Sequence, residues 1–196
     1  MGIIKTFFPS SNSIISVWKI EESIDELREI SKENTYIKNE IREMEYHASR
    51  EALKYGCKKL GIDFIGIKKD SNGKPHLKNN STEISISHKF PYAIVMIHKD
   101  RECGVDIEKI DKKALKVKDK FLIDNEIDYI GESIKNATIY WSIKETLYKI
   151  KGKTFDFKKI IIKRPTSKNK YECMINNKNY TIGIDELDKH IIAYTI

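Results

Sequence analysis

Two carboxylates two residues apart, Asp106 and Glu108, and a third, Glu145, four residues before Lys149, are the side chains of this chain best equipped for chemistry. The first pair stands in Gly104-Val105-Asp106-Ile107-Glu108, where acidic and apolar residues alternate as on a half-buried strand. Side chains at i and i+2 of a strand share a face. Asp106 and Glu108 therefore project together, while Val105 and Ile107 turn to the core. The second group stands in Trp141-Ser142-Ile143-Lys144-Glu145-Thr146-Leu147-Tyr148-Lys149, where a helix puts Trp141, Glu145 and Lys149 on one face. Adjacent carboxylates repel, raising each other's pKa, unless a cation lies between them. With Glu145 as a third donor they form a hard, oxygen-only set of the kind magnesium prefers. An ammonium at Lys149, with Lys144 as its neighbour, could neutralise charge on a transferring or leaving phosphate. The plainer reading of the same spacing is a solvated strand end and a Glu–Lys pair on an ordinary helix. Spacing alone does not separate the two.

The elements that must position these groups follow no regular alternation. Residues 14–20 have strand character, and 23–29 form a short helix with an acidic first turn. Residues 37–60 are the longest helical stretch, running into Gly61. Met44, Ala48, Ala52, Leu53 and Tyr55 supply its apolar face, Glu40, Arg42, Glu43 and Glu45 its polar one, and Arg50 falls two turns after Arg42. Asp70-Ser71-Asn72-Gly73 is a turn, after which Pro75 stiffens the backbone carrying Lys74; Asn79-Asn80-Ser81 is a second turn. Residues 84–88 and 93–97 read as neighbouring strands. Ser85 and Ser87 share one face, Ile84, Ile86 and His88 the other, with the first strand ending near His88. Residues 121–130 form a helix ending near Gly131, and residues 139–150 the helix of Glu145, ended by Gly152. Strands at 157–163, 171–175, 180–184 and 190–194 close the chain, with His190 expected at the surface or a sheet edge. The pattern favours α+β over a doubly wound sheet.

Composition sets outer bounds. A chain of 196 residues buries roughly 70% of its unfolded surface, enough for a real core. A net charge of +7, from 36 Lys and Arg against 29 Asp and Glu, suits an anionic ligand or an acidic protein partner. The basic residues are scattered and the tyrosines dispersed, which argues against a nucleic-acid-binding module. Cys57, Cys103 and Cys173 are odd in number with no C-x-x-C. Neither a disulfide framework nor a zinc cluster is expected, and the thiols read as buried and structural in a reducing cytoplasm. No apolar run reaches membrane-spanning length, and no signal-peptide core is present. A serine-hydrolase reading fails for want of a G-x-S-x-G elbow.

Five short segments, in order over residues 73–149, resemble those of the 4′-phosphopantetheinyl transferases. GVDIE followed by WSIKETLYK is similar to that family's (V/I)G(V/I)D and W-(S/A)-x-K-E-(A/S)-x-x-K. Cys103 in the first apolar position and Thr146 in place of a smaller residue are mild departures. Gly73-Lys74-Pro75-His76-Leu77 resembles the G-K-P element, and Ser85-Ile86-Ser87-His88 the S-(I/L)-S-H element that precedes an apolar strand. Phe121-Leu122 with Glu126 resembles F-(S/A)-x-x-E. In length the chain resembles the Sfp-type branch and exceeds the short, trimeric holo-acyl-carrier-protein synthases, so a monomer is expected.

The resemblance implies two similar α+β halves packed as a pseudo-dimer, with coenzyme A in the cleft between them. Residues 1–100 would form the coenzyme side and residues 101–196 would carry the metal and the catalytic helix. It implies transfer of 4′-phosphopantetheine from coenzyme A to a serine of an apo acyl or peptidyl carrier protein, releasing adenosine 3′,5′-bisphosphate. The carrier could serve fatty acid biosynthesis or a polyketide or peptide synthase. By the same resemblance Asp106, Glu108 and Glu145 hold magnesium, with manganese as the alternative ion, and Lys149 meets charge on the phosphate. Lys74, Ser87, His88, Arg50 and Lys144 are implied at the coenzyme, with Glu126 in support. Either Glu145 or a metal-held water would take the serine proton. The alternative, a relative that binds coenzyme or carrier without transfer, is disfavoured by the intact Asp106, Glu108, Glu145 and Lys149.

Overall fold

A computed structural model describes residues 2–33, 35–78, 81–151, 155–165, 167 and 169–196. The expected stops at Asn79-Asn80 and at Gly152 lie outside the described residues. The chain divides into two compact units, Met1–Cys103 and Gly104–Ile196.

The first unit runs β1 (Ile3–Ser10), β2 (Ser13–Lys19), α1 (Ile24–Ser31), α2 (Glu40–Leu60), β3 (Ile67–Lys69), β4 (Pro75–Leu77), β5 (Glu83–Lys89) and β6 (Tyr92–His98). Its main sheet is antiparallel in the order β1-β2-β6-β5, and β3 pairs with β4. Helix α1 starts at a reciprocal cap: Ser23 accepts from the Glu26 N–H while Glu26 accepts from the Ser23 N–H. Helix α2 is capped by the Asn39 side chain and ends at Gly61, whose φ of 68° is the left-handed conformation that glycine adopts without strain. Ala48, Ala52, Leu53 and Cys57 of α2 pack with Ile14, Ile84, Val95 and Ile97 of the sheet. Tyr55 stands outside this core, and Glu43 and Glu45, read from sequence as solvent-facing, are buried. Each has a polar partner that offsets the cost of burial: the Arg28 guanidinium for Glu43, at 3.0 Å, and the His88 ring for Glu45, at 2.8 Å.

The second unit runs β7 (Val105–Lys109), α3 (Lys112–Lys116), α4 (Asp124–Ile130), α5 (Ile134–Lys151), β8 (Ile161–Ile162), β9 (Lys170–Ile175), β10 (Lys178–Leu187) and β11 (His190–Thr195). Its sheet is antiparallel in the order β7-β11-β10-β9-β8. Ile139, Ile143, Leu147 and Ile150 of α5 pack with Tyr171, Ile182, Ile191 and Ala193 of the sheet. Helix α5 begins a turn earlier than the sequence suggested, because Ser133 caps it: its hydroxyl accepts from the Asn136 N–H at 3.2 Å. Residues 157–163 do not form one strand. Phe157–Lys159 is a single 3₁₀ turn, and only Ile161–Ile162 joins the sheet. His190 is buried rather than surface-placed, since it opens β11 opposite Lys109 within the sheet.

The three cysteines are free and buried, as expected. Burial pushes the Cys57 thiol up to about 11 and Cys103 up to about 12, so neither is a nucleophile at neutral pH. Among the described residues no helix is long and apolar enough to cross a membrane.

Candidate active site

Strand β7 and helix α5 lie against each other in the second unit, and this contact brings the acidic strand to the Glu–Lys helix. Gly104 permits the approach. A β-carbon there would stand 2.4 Å from the Thr146 carbonyl oxygen of α5, closer than any side chain tolerates. Thr146 fills the other side of the junction, its buried hydroxyl 2.8 Å from Ser142 O and 3.1 Å from Ala193 O of β11.

Helix and strand are then joined by polar side chains. Asp106, buried, accepts from the Ser142 hydroxyl through Oδ2 at 2.8 Å and from Lys149 Nζ through Oδ1 at 2.8 Å. Lys149 also donates to the Val105 carbonyl at 3.0 Å. Glu108 Oε1 accepts from the Trp141 indole N–H at 3.2 Å. Trp141, Ser142, Glu145 and Lys149 thus face the strand as one stripe of α5. Glu145 titrates at about 7, raised first by its own burial and then by Asp106, with Glu108 adding and Lys149 opposing. The three carboxylates therefore sense one another across two elements.

The set can be tested for a hard cation. Every donor is a carboxylate oxygen, and a dication would relieve the repulsion that Asp106 and Glu108 add to the effect of burial on Glu145, so the donor chemistry fits magnesium. The carboxylates do not stand as a closed cage: among the described residues no group of three or more His, Cys, Asp or Glu is assembled as a metal site. The Lys149 ammonium supplies positive charge to Asp106.

Trp141 belongs also to an aromatic stack. Its ring is parallel to Phe157, with centroids 5.5 Å apart, and Phe157 is parallel to Tyr148 at 4.9 Å. Phe121 meets Trp141 edge-on at 5.0 Å. The indole that donates to Glu108 is thereby held in plane by its neighbours.

Lys144, implied either beside the coenzyme or in packing, is placed in the interior, its side chain 0% exposed. Its ammonium donates to Glu126 Oε2 at 2.7 Å, Ile160 O at 2.8 Å and Phe157 O at 3.2 Å, which uses its three donors. Glu126, 2% exposed, also accepts the Ile162 and Ile123 N–H groups. The pair ties α5, α4, the 157–159 turn and β8 together. Burial pulls the Lys144 pKa down, and the Glu126 charge opposes that shift. One residue along a helix is a rotation of about 100°, which is why adjacent Lys144 and Glu145 serve different surroundings.

The residues expected at the coenzyme in the first unit divide. Arg50 and His88 line a cavity of about 560 Å³ together with Arg42, Tyr46, Lys69 and Ile86. Arg50 lies over the Tyr46 ring at 3.8 Å and donates to the Ser49 hydroxyl. Ile86 and His88 share one face of β5. Ser87 points to the opposite, buried face, so it does not line this cavity. Lys74 does not line it either, since its ammonium is bound to Glu83 at 2.7 Å. The expected turn before it forms, with Asp70 accepting the Asn72 and Lys74 N–H groups. Glu45 escaped the sequence reading, as did the contacts of Ser142. The helical phase of Ser142 relative to Glu145 and Lys149 could have indicated it.

Comparison with known proteins bears on the second unit. No curated protein matches the chain. A family model described as the 4′-phosphopantetheinyl transferase superfamily matches residues 102–195, the span that contains β7, α5 and β11. Over that span, which lies almost wholly in the second unit, the chain is similar to that superfamily.

Proposed function

We propose that the chain is a Sfp-type 4′-phosphopantetheinyl transferase that moves phosphopantetheine from coenzyme A to a serine of an apo acyl or peptidyl carrier protein. The observation that carries the reading is the β7–α5 contact, where Ser142 and Lys149 grip Asp106, Trp141 grips Glu108, and Glu145 is coupled to both acids. In this reading Asp106, Glu108 and Glu145 hold a magnesium ion, which when bound supplies charge neutralisation at the coenzyme's diphosphate.

The remaining steps fall to the protein's own groups. Ser142 and Trp141 fix Asp106 and Glu108 so that the carboxylates need not reorganise. Lys149 meets the negative charge of the phosphate under attack. Glu145 is the group assigned to take the proton from the carrier serine hydroxyl. The serine oxygen bonds to the β-phosphorus as the bond to the bridging oxygen breaks, and adenosine 3′,5′-bisphosphate leaves. Arg42, Arg50, Lys69 and His88 in the first unit give a cationic cavity suited to the coenzyme's phosphates. The helix-on-sheet build of each unit supports two similar α+β halves.

The test is direct. Incubation with coenzyme A, magnesium and an apo carrier protein adds one phosphopantetheine to the carrier, read by intact mass. A panel of fatty-acid, polyketide and peptide-synthase carriers that all keep their apo mass, with coenzyme binding intact, shows a binding relative without transfer.

A further inference from the structure

Glu45 lies in the second turn of α2 with its side chain only 8% exposed, yet both of its oxygens are committed to residues more than forty positions away. Oε2 is 2.8 Å from His88 Nδ1, and Oε1 accepts the Phe90 N–H at 3.0 Å. Both partners belong to the end of the β5–β6 hairpin. His88 is 49% exposed and lines the cationic cavity. The two ring nitrogens of imidazole point in different directions, and which one carries the proton is set by the hydrogen bond the other makes. With Nδ1–H given to Glu45, Nε2 is the nitrogen left for a ligand. When Nε2–H donates to an anion the ring holds protons on both nitrogens, and the Glu45 carboxylate balances its charge.

We propose that Glu45 is a positioning residue of this cavity, fixing the plane and proton arrangement of His88 so that Nε2 faces a phosphate bound beside Arg42 and Arg50. The inference rests on the proposed function for the identity of the phosphate as coenzyme A's, but not for the pairing itself. Glu45 touches no substrate. Its second bond, to the Phe90 N–H, holds the hairpin end that carries His88 against α2, so one carboxylate sets both ring and backbone.

The decisive measurement is a double-mutant cycle on coenzyme A saturation, with Glu45→Gln, His88→Ala and both together. Glu45→Gln raises KM for coenzyme A roughly tenfold to a hundredfold, as expected for loss of one charge-assisted hydrogen bond, with a much smaller change in kcat. In the His88→Ala background the same substitution adds little. Losses that multiply in the double variant would overturn the proposal, because they would mean that Glu45 acts through the fold and not through His88. A second readout needs no turnover. Long-range ¹H–¹⁵N spectra of the ring show Nδ1 protonated, and inorganic phosphate or adenosine 3′,5′-bisphosphate shifts the Nε2 resonance. Glu45→Gln weakens that response. An Nε2 resonance indifferent to both anions, or one that responds equally in the variant, sinks the proposal. A ring response without transfer to any carrier would leave Glu45 in place while removing the proposed function.

Discussion

Replacing Lys144 with methionine separates a structural lysine from a coenzyme-binding one. In the native protein its ammonium is fully buried and makes three hydrogen bonds, to Glu126, Ile160 O and Phe157 O. Methionine fills a similar volume but donates nothing. Glu126 stays behind at 2% exposure with two backbone N–H donors and no counter-charge. Removing one partner of a buried ion pair costs about 3–5 kcal/mol, mostly because the remaining charge is stranded. For a chain of this length each kcal/mol lowers Tm by roughly 2–4 °C, so the expected fall is about 6–20 °C. Lys144→Met combined with Glu126→Gln removes the stranded charge and recovers part of the loss. The assays are thermal unfolding followed by circular dichroism and, well below the lowered Tm, coenzyme A binding by calorimetry. Stability should drop while affinity for the coenzyme at low temperature stays within a few-fold of the parent. A variant that melts like the parent but binds coenzyme A tenfold more weakly would refute the assignment and return Lys144 to the ligand.

Glu145→Gln keeps the fold but lowers transfer by at least about a hundredfold, the scale of losing a general base; near-normal turnover would remove Glu145 from the mechanism. The same variant, with Asp106→Asn, abolishes the rise in Tm that magnesium gives the parent, an effect of binding to the native state alone; an undiminished rise would place the ion elsewhere. Glu145 also predicts a pH dependence. Its folded pKa, about 7, lies above the ordinary carboxylate value, so the stability it confers is fully present below about pH 4.5 and is lost as pH rises through about 7. In metal-free buffer that loss is on the order of 3 kcal/mol, and denaturant titrations across pH should show Glu145→Gln lacking it. Gly104→Ala forces a methyl group against the Thr146 carbonyl, 2.4 Å away, and should cost about 1–3 kcal/mol by overpacking. Chemical denaturation and transfer rate both report it, and a neutral result would mean that β7 and α5 can move apart freely.

Much of the secondary structure was readable because local signals agreed with burial. Gly61 ends α2 as expected, although the helix starts at Glu40 after the Asn39 cap and not at residue 37, and the alternation of residues 84–88 and the apolar run at 93–97 match β5 and β6. Strand β1 was not readable: it carries no clean alternation, and its pairing with β2 shifts register twice. The extra turn of α5 was hidden because its cap is a single serine within a polar stretch. Of the site, Asp106, Glu108, Glu145 and Lys149 stood out because strand and helix periods each put them on one face. The burial of Glu45 was illegible for the opposite reason. A glutamate among Arg42, Glu43 and Tyr46 reads as solvated, and only the return of the chain at residues 88–90 buries it. The role of Lys144 stayed open in the sequence because a signature states which residues occur together, not which way each one points.

That last distinction explains how so short a segment serves two ends. Residues 141–149 make two and a half helical turns, and their side chains separate by phase. Trp141, Ser142, Glu145 and Lys149 reach β7, while Ile143, Lys144 and Leu147 go into the core. The two sets are coupled through Phe157. Its carbonyl oxygen accepts from buried Lys144, and its ring lies between Trp141 and Tyr148, so the core ion pair fixes the aromatic plane from which the indole N–H reaches Glu108. On this argument Lys144 influences the acidic site without touching it. Loss of Lys144 should loosen the Phe157 turn first and the placement of Glu108 next, leaving the Lys149–Asp106 pair, one helical turn beyond Glu145, the last to change.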